Sequence, residues 1–290
     1  MFRSVLVPVD FTDDADYLLS FTAGLPRVGV AKAVLANVVD ASGLEGPVIA
    51  AKVDHVRAKL GRRAEPLKEV GLDMGVTITT GEPAREIVLL GSQMNVDAII
   101  MGSHGKRIID ELLTGSISER VLAESSVPLM LVRFDLVRNS EDPGSLMGEF
   151  SRKMLVPTDF SEVADRAFDL AVDIAETVPL CGIDKSEPCG ILLLHVVDRA
   201  VGEHGIAEAE FEADAKMATR VERAAERGVT ATPLVAVGDV QRVILDQIHD
   251  RRATGVVIGS RGVGALAEVF VGSKAKTVMR QASCPVLSVP

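Results

Sequence analysis

The sequence predicts an α/β fold that occurs twice: two repeated doubly wound domains, each a five-stranded parallel sheet flanked by helices. Three observations lead to this prediction. The 290 residues suffice for about two domains. Segments of the first half return in the second half at a nearly constant spacing. Within each half, short apolar runs alternate with helical patterns, which is typical of βαβ units with parallel strands.

The repeat is visible in segments that match residue by residue. The segment around Asp10 returns around Asp159, an offset of 149, and Leu35–Asp40 returns as Leu193–Asp198, an offset of 158. The step from 149 to 158 predicts an insertion of about nine residues at Leu180–Gly190. Four glycines return after 157 residues: Gly71, Gly81, Gly102 and Gly115.

The repeat also sets the domain boundaries. We expect a first domain over residues 1–138, a linker over residues 139–150 and a second domain over residues 151–290. Turn-forming residues fill Asn139–Ser145, and this composition favours a linker there. Each half is long enough to bury a core of its own.

The first half shows the elements of one domain in order. Apolar runs rich in branched side chains predict strands that are buried on both faces of a sheet: Val5–Val9, Ala33–Val39, Val76–Thr79, Ala98–Met101 and Pro128–Val132. Helical patterns fill the intervals: Asp13–Leu25, a long segment ending near Val70, Ala84–Met94 and Ser116–Glu124. Gly71 and Gly228 stand where a left-handed helix end is expected. Such sheets bind ligands beyond the carboxyl ends of the strands, where the strand order reverses.

The charge and the aromatic content argue against nucleic acid as a partner. The chain has 31 basic and 41 acidic side chains, a net charge of −10, whereas binding a phosphate backbone needs a basic surface. Aromatic residues make up 3% of the chain, so unpaired bases find few rings to stack on.

The sequence predicts a cytoplasmic protein without a membrane partner. Its first residues lack the apolar core of a secretory signal, and no apolar stretch reaches the length of about 20 residues that a membrane span needs. Cys181, Cys189 and Cys284 are too few for a disulfide framework. Cys181 and Cys189 lie eight residues apart with no nearby His, so we expect no metal site.

An Asp follows the first strand of each half. Asp10 and Asp159 are expected at the ligand-binding edge of the sheet, and two roles stay open for them. Each Asp either caps the next helix or contacts a ligand. Thr12 and Ser161, two residues later, are equally good caps, which favours the ligand contact.

A glycine motif follows the fourth strand of each half. Gly102-Ser-His-Gly105 is followed by Gly115-Ser116, and the same G-x2-G-x9-G-S spacing returns in the second half as Gly259, Gly262 and Gly272-Ser273. Glycine permits close approach of a ligand and positive φ, and a helix N-terminus presents free N–H groups to an anion. The doubled motif therefore predicts a phosphate cradle in each half.

The helices after the two motifs begin differently. Ser116-Ile-Ser-Glu119 is a capping box, whereas Ser273-Lys-Ala-Lys276 places two cations in a first turn, where they oppose the helix dipole. A bound anion near Lys274 and Arg261 would reverse that penalty. The alternative is that both lysines point to solvent.

The strand-1 Asp, the Val-Val-Asp end of strand 2 and the doubled glycine motif together resemble the universal stress protein family, in its tandem-domain, ATP-binding branch. The resemblance covers the chain except for the linker and the insertion. It implies a five-stranded α/β domain of the adenine nucleotide alpha hydrolase-like type. It also implies that the two fifth strands, Pro128–Val132 and Pro285–Val289, pair as a pseudo-dimer within the chain, with a further homodimer left open.

The resemblance implies an adenosine site in each half. Adenosine would contact Asp10 and Val38 in the first half, and Asp159 and Val196 in the second. His104 and its counterpart Arg261 would share a positive or hydrogen-bonding role, and Lys274 stands where the family usually has an apolar residue. The ribose and phosphates would meet the residues of the two glycine motifs: Gly102, Gly105, Gly115, Ser116 and Ile117, then Gly259, Gly262, Gly272 and Ser273.

The sequence favours a binding protein over an enzyme. The five histidines show no triad or metal spacing, and His195 is expected to be a satisfied strand-end residue. The P-loop motif and the dinucleotide fingerprint at the first strand are both absent. We therefore expect a stress-response or regulatory protein that binds ATP, ADP or AMP, with Mg²⁺ as an optional companion. The alternatives are a slow ATPase or nucleotidyl-transfer enzyme, and a scaffold with vestigial sites.

Overall fold

Two units of the same α/β architecture make up the chain. The computed structural model describes residues 3–12, 14–103, 117–177, 190–198, 203–261 and 272–290. The two units are Phe2–Gly148 and Glu149–Pro290. In each, a parallel sheet lies among helices, which confirms the predicted fold class.

The first unit has the strand order β3-β2-β1-β4-β5 among its described residues. These strands span β1 Ser4–Pro8, β2 Lys32–Val39, β3 Asp73–Thr80, β4 Ala98–Ser103 and β5 Leu129–Arg133. The helices span α1 Ala15–Thr22, α2 Gly46–Glu69, α3 Pro83–Gln93, α4 Ile117–Glu124, α5 Phe134–Arg138 and α6 Pro143–Gly148, with a 3₁₀ helix over Leu25–Val28.

The second unit repeats this order as β8-β7-β6-β9-β10. Its strands span β6 Lys153–Thr158, β7 Gly190–Val197, β8 Ala231–Val237, β9 Gly255–Gly259 and β10 Val286–Val289. Its helices span α7 Glu162–Thr177, α8 Glu203–Glu226, α9 Val240–Asp250 and α10 Ser273–Gln281. In both units the strand order reverses beside the first strand, which is where doubly wound sheets bind ligands.

The central strands are buried on both faces, as their continuous apolar runs predict. Val5, Leu6 and Val7 of β1 have no exposed surface, and neither do Met154 and Leu155 of β6. Helices on both faces of a parallel sheet produce this burial. They leave the carboxyl edge of the sheet as the place where polar groups of the strand ends reach a ligand.

Local signals in the sequence fix several helix ends. Gly71 and Gly228 have φ values of 96° and 73°, as predicted for residues that end long helices. Glu82 caps α3, since its carboxylate accepts hydrogen bonds from the N–H groups of Arg85 and Ala84 at 3.0 and 3.2 Å. The bond from Arg85 is the largest influence that lowers the pKa of Glu82. Asp239 caps α9 in the same way, through the N–H of Arg242 at 2.9 Å.

The helix predicted over Asp13–Leu25 is divided. Helix α1 ends at Thr22 and a 3₁₀ helix covers Leu25–Val28. The break falls at Gly24, ahead of Pro26, whose ring cannot continue an α-helix. Among the described residues, the other predicted helix ends agree with the structure to within one residue, and β3 begins three residues before its predicted start at Val76.

The segment predicted as a linker, residues 139–150, contains helix α6. Gly144 and Met147 of α6 are buried, and the unit boundary falls after Gly148. Asp142 opens the helix, because its carboxylate accepts a hydrogen bond from the N–H of Gly144 at 3.0 Å. The sequence Asp-Pro-Gly suggests a turn, yet Pro after a capping Asp is equally a helix start.

Further expectations concern the insertion, the cysteines and the absence of a membrane span. Most of the predicted insertion, with Cys181 and Cys189, lies outside the described residues. Cys284 is buried, and burial raises the pKa of its thiol to about 12, so it is un-ionised at neutral pH. No helix in the described part of the chain combines the length and apolarity of a membrane span. The pairing of the two fifth strands and the homodimer stay predictions.

We predict that Gly24→Ala lowers the free energy of unfolding by about 1–3 kcal/mol. A Cβ at Gly24 would lie 2.0 Å from the carbonyl oxygen of Gly144, which is main chain and cannot yield easily. Gly61→Ala in α2 is the control, because nothing lies within 4 Å of a Cβ there and Ala favours a helix. Urea unfolding measures both variants. Equal stability of the two variants would contradict the close packing of α6 on this turn.

Candidate functional site

A cavity opens at the carboxyl edge of the second sheet. Its volume is about 500 Å³, within the range of small-molecule sites. Strands β6, β7 and β9 end at this cavity, and the helices α9 and α10 close it. Because β7 and β9 lie on opposite sides of β6, the cavity spans the point where the strand order reverses.

One side of the cavity is aliphatic. Aliphatic side chains of β7 and α9 line it: Leu194, Val196, Val240 and Ile244. Val240 and Ile244 stand four residues apart on α9, so they present one face of the helix. This wall suits a flat apolar group better than a charged one.

The other side is polar and rich in main-chain groups. Gly259, Ser260 and Arg261 line it at the end of β9, and Gly272, Ser273 and Lys274 line it at the start of α10. The N–H of Gly272 donates to the carbonyl of Ser260 at 2.8 Å, which holds the two segments together. This side therefore joins a strand end to a helix N-terminus.

The start of α10 has the charge pattern of an anion site. Gly272 is the N-cap residue and makes no side-chain capping bond, and the first turn contains no acidic residue. The N-terminal N–H groups and the dipole of a helix favour an anion. Lys274 adds a positive charge that lines the cavity.

Two carboxylates also line the cavity. Asp159 follows β6, and its Oδ1 accepts a hydrogen bond from the N–H of Ser161 at 3.1 Å. Ser161 itself caps α7, because its hydroxyl accepts from the N–H of Ala164 at 3.2 Å. Asp159 is therefore not the helix cap. Asp198, at the end of β7, is the second carboxylate.

His195 holds the end of β7 to the end of β6. Its Nδ1 lies 2.9 Å from the carbonyl oxygen of Thr158, and a carbonyl can only accept, so Nδ1 carries the hydrogen. The imidazole ring stacks on Phe160 with centroids 4.5 Å apart. His195 is thus a satisfied strand-end residue, as expected, and it also lines the cavity.

The described residues predicted for the second site lie around this one cavity. They are Asp159, Val196, Gly259, Arg261, Gly272, Ser273 and Lys274. Gly262 lies outside the described residues.

The prediction did not include the other residues that line the cavity, and five of them show what the sequence could and could not signal. Ser260 stands inside the second glycine motif, and Asp198 ends the Val-Val-Asp segment of the second repeat. Both residues therefore belong to motifs that the sequence already indicated as parts of the site. Leu194, Val240 and Ile244 follow an ordinary apolar pattern. Nothing in that pattern distinguishes a helix face that lines a cavity from one that packs on the sheet.

The first repeat has part of the same arrangement. Asp10 follows β1, and its Oδ1 accepts from the N–H and the hydroxyl of Thr12 at 3.1 and 2.6 Å. The N-cap residue of α1 is Asp14, so the expectation that Thr12 serves as a cap like Ser161 is wrong. Val38 lies in β2 and Ile117 begins α4, with 43% of Ile117 exposed. Four predicted residues lie outside the described part: His104, Gly105, Gly115 and Ser116.

The described glycines of the motif do not have positive φ. Gly102, Gly259 and Gly272 are absent from the positive-φ residues of the described chain, so of the two properties expected of these glycines only close approach applies, and it differs among them. At Gly102 that approach comes from within the unit, since a Cβ there would lie 2.0 Å from Cζ of Phe134. At Gly259 a Cβ would lie 3.0 Å from Val163. At Gly272 it would have ordinary contact distances only.

The end of β2 matches the end of β7. Asp40, the counterpart of Asp198, accepts a hydrogen bond from the N–H of Ser42 at 2.9 Å. Hydrogen bonds from the side chain and backbone of Ser42 lower the pKa of Asp40, so this carboxylate is ionised at neutral pH. Among the described residues, no group of three or more His, Cys, Asp or Glu side chains could hold a metal ion.

The family model of the universal stress proteins matches residues 1–133 and 151–290. The chain belongs to the universal stress protein family. The two matched segments correspond to the two repeats and lie on either side of the segment predicted as a linker.

Two curated relatives each align with about half of this universal stress protein and with nearly all of their own length. Universal stress protein MJ0577 of Methanocaldococcus jannaschii is 27% identical over 155 residues, which are 46% of this chain and 96% of the relative. Universal stress protein YxiE of Bacillus subtilis is 31% identical over 153 residues, 47% of this chain and 97% of the relative. The crystal structure of a universal stress protein from Archaeoglobus fulgidus aligns with 100% of this chain and 98% of its own, with a TM-score of 0.75 and 22% identity. This last likeness shows the fold.

We predict that Ser161→Ala lowers the free energy of unfolding by about 1 kcal/mol, because it removes the cap of α7. Thr12→Ala at the matching position is the control, since Thr12 donates to Asp10 and does not cap α1. Thermal unfolding of both variants measures the difference. If Thr12→Ala destabilised the protein as much as Ser161→Ala, the assignment of the two caps would be wrong.

Proposed function

We propose that this universal stress protein is a stress-response or regulatory protein that binds an adenine nucleotide, ATP, ADP or AMP, in the cavity of its second repeat. One observation carries the proposal: a single cavity joins an aliphatic wall to a helix N-terminus with a lining lysine. An adenine nucleotide has the matching chemistry, with a flat base whose faces suit aliphatic contacts at one end and phosphates at the other.

The spacing of the strands supports a nucleotide with its base near β7 and its phosphates near β9. The strands β7 and β9 are two strand spacings apart, about 10 Å. A base against Val196, Val240 and Ile244 would therefore place its phosphates near Gly259 and Ser273. The ribose would lie between them, near Asp159, whose carboxylate can accept hydrogen bonds from hydroxyl groups.

The base would be held without an aromatic sandwich. Among the described residues that line the cavity, His195 has the one flat ring, and one face of that ring already stacks on Phe160. Aliphatic contacts and main-chain groups at the end of β7 are then the principal contacts of the base. This agrees with the low aromatic content of the sequence.

The phosphates would be held by the start of α10. Its uncapped N–H groups and Lys274 offer positive charge where a phosphate would lie. Arg261, at the end of β9, lines the same side. Mg²⁺ would enter with the nucleotide, bound to the phosphates.

We extend the proposal to the first repeat through its matching residues. Asp10, Val38, Gly102 and Ile117 occupy the positions of Asp159, Val196, Gly259 and Lys274. Ile117 brings no charge to the start of α4. The start of α4 therefore has no counterpart of the charge that Lys274 brings to the start of α10.

Calorimetric titration with ATP, ADP and AMP, each with and without Mg²⁺, tests the proposed function. We expect saturable binding at micromolar to millimolar nucleotide. No heat of binding from any of the three nucleotides in that range would contradict the proposal. Release of phosphate from ATP within minutes would instead favour the slow ATPase.

We predict that Lys274→Glu weakens ATP binding by roughly tenfold, because it replaces a cation near the phosphates with an anion. The loss should be smaller for AMP, which has one phosphate. Lys276→Glu is the matched control, since Lys276 lies in the same helical turn and does not line the cavity. Equal losses of ATP affinity in the two variants would mean that only the overall charge of α10 matters.

A further inference from the structure

Phe160, directly after Asp159, has an unusual backbone conformation. Its φ is 63°, in the left-handed region that residues other than glycine rarely adopt. Such a conformation persists only where the surroundings hold it, and it is most common near functional sites. Phe160 belongs to the turn that carries the cavity-lining Asp159.

Contacts from two other residues hold this turn. The N–H of Phe160 donates to the hydroxyl of Thr158 at 3.0 Å, and the carbonyl of Thr158 accepts from Nδ1 of His195 at 2.9 Å. The ring of His195 then stacks on the ring of Phe160, with an interplanar angle of 27°. The three residues thus form a closed set of contacts around the turn.

The long helix α8 brings two cations to the ring of Phe160. Lys216 Nζ lies 5.4 Å from the ring centroid of Phe160, and the guanidinium of Arg220 lies 5.0 Å from it. Arg220 is itself held by Asp165 of α7 at 2.7 Å. The ring of Phe160 therefore has both the cations of α8 and the ring of His195 as neighbours.

The first repeat keeps the cationic contact. Phe11 corresponds to Phe160, with Lys59 Nζ at 4.1 Å and the guanidinium of Arg63 at 5.4 Å from its ring centroid. Arg63 pairs with Asp16 at 3.1 Å, as Arg220 pairs with Asp165. This part of the arrangement is common to both repeats.

The first repeat lacks the other contacts. Val9 replaces Thr158, and a valine has no hydroxyl to accept the N–H of the Phe. Asn37 replaces His195 and donates to the carbonyl of Val9 at 2.7 Å, so the strand-end bond survives without the ring. Phe11 does not have a positive φ. The left-handed turn therefore accompanies Thr158 and His195.

We propose that Thr158, Phe160 and His195 are positioning residues of the second site, which fix the turn of Asp159 before a ligand enters. This proposal rests on the proposed function for its ligand, and on the contacts above for its geometry. A carboxylate that is already in place loses less freedom on binding, so the second site gains affinity. The first site, with Val9 and Asn37, has no such device.

Two variants use the residues of the first repeat. His195→Asn keeps a donor for the carbonyl of Thr158 and removes the stacked ring. Thr158→Val keeps the shape of the side chain and removes the hydroxyl. His249→Asn, an exposed position in α9 outside the cavity, is the control.

The first measurement is made without nucleotide. We expect His195→Asn to move the ¹³Cα and ¹³Cβ shifts of Phe160 away from left-handed values. We expect Thr158→Val to speed amide hydrogen exchange of Phe160 by about 2- to 10-fold. His249→Asn should change neither. Unchanged Phe160 shifts and exchange in the first two variants would overturn the proposal, whether or not the protein binds nucleotide.

The second measurement is ATP affinity. We expect both variants to bind ATP about 2- to 10-fold more weakly than the wild type. If both variants bound ATP with the affinity of the wild type, the positioning role would be overturned and the proposed function would remain. If the wild-type protein bound no nucleotide, the proposed function would be wrong. The chemical-shift and exchange measurements would still decide whether these residues hold the turn.

Discussion

In each repeat the first strand pairs with the second strand on one side and with the fourth on the other. The connections that follow the first and fourth strands therefore separate, and a space remains between them at the carboxyl edge. In the second repeat this space is the cavity between β7, β9 and α10. The helices that bury both faces of the sheet leave that edge as the route by which strand-end side chains reach a ligand.

Much of this architecture could be predicted because it depends on local patterns. The apolar runs indicate β1 and β6, and the spacing of Gly259 and Gly272 locates the polar side of the cavity. The doubled occurrence of each motif removes the ambiguity that a single glycine pair would have. For the same reason the sequence located Asp159 and Lys274 at one edge of the sheet.

Other features depend on residues that are distant in sequence. Neither the ring of Phe134 against Gly102 nor the stack of His195 on Phe160 has a signal in any short segment. The sequence did not predict helix α6, because Asp-Pro-Gly favours both a turn and a helix start. Packing against Gly24 decides between them. The two repeats share the same backbone fold. They differ in contacts made by single side chains, such as Val9 in the first repeat and Thr158 in the second.

The central claim is that the cavity of the second repeat binds an adenine nucleotide with the base toward β7 and the phosphates toward α10. A titration of the ¹⁵N-labelled chain with ATP, followed by amide chemical shifts, tests this claim most directly. The account predicts large, saturable shifts at Val196 and at Ser273 and Lys274, on the two sides of the cavity. The absence of shifts at these amides in millimolar ATP, or shifts confined to residues far from the cavity, would contradict it.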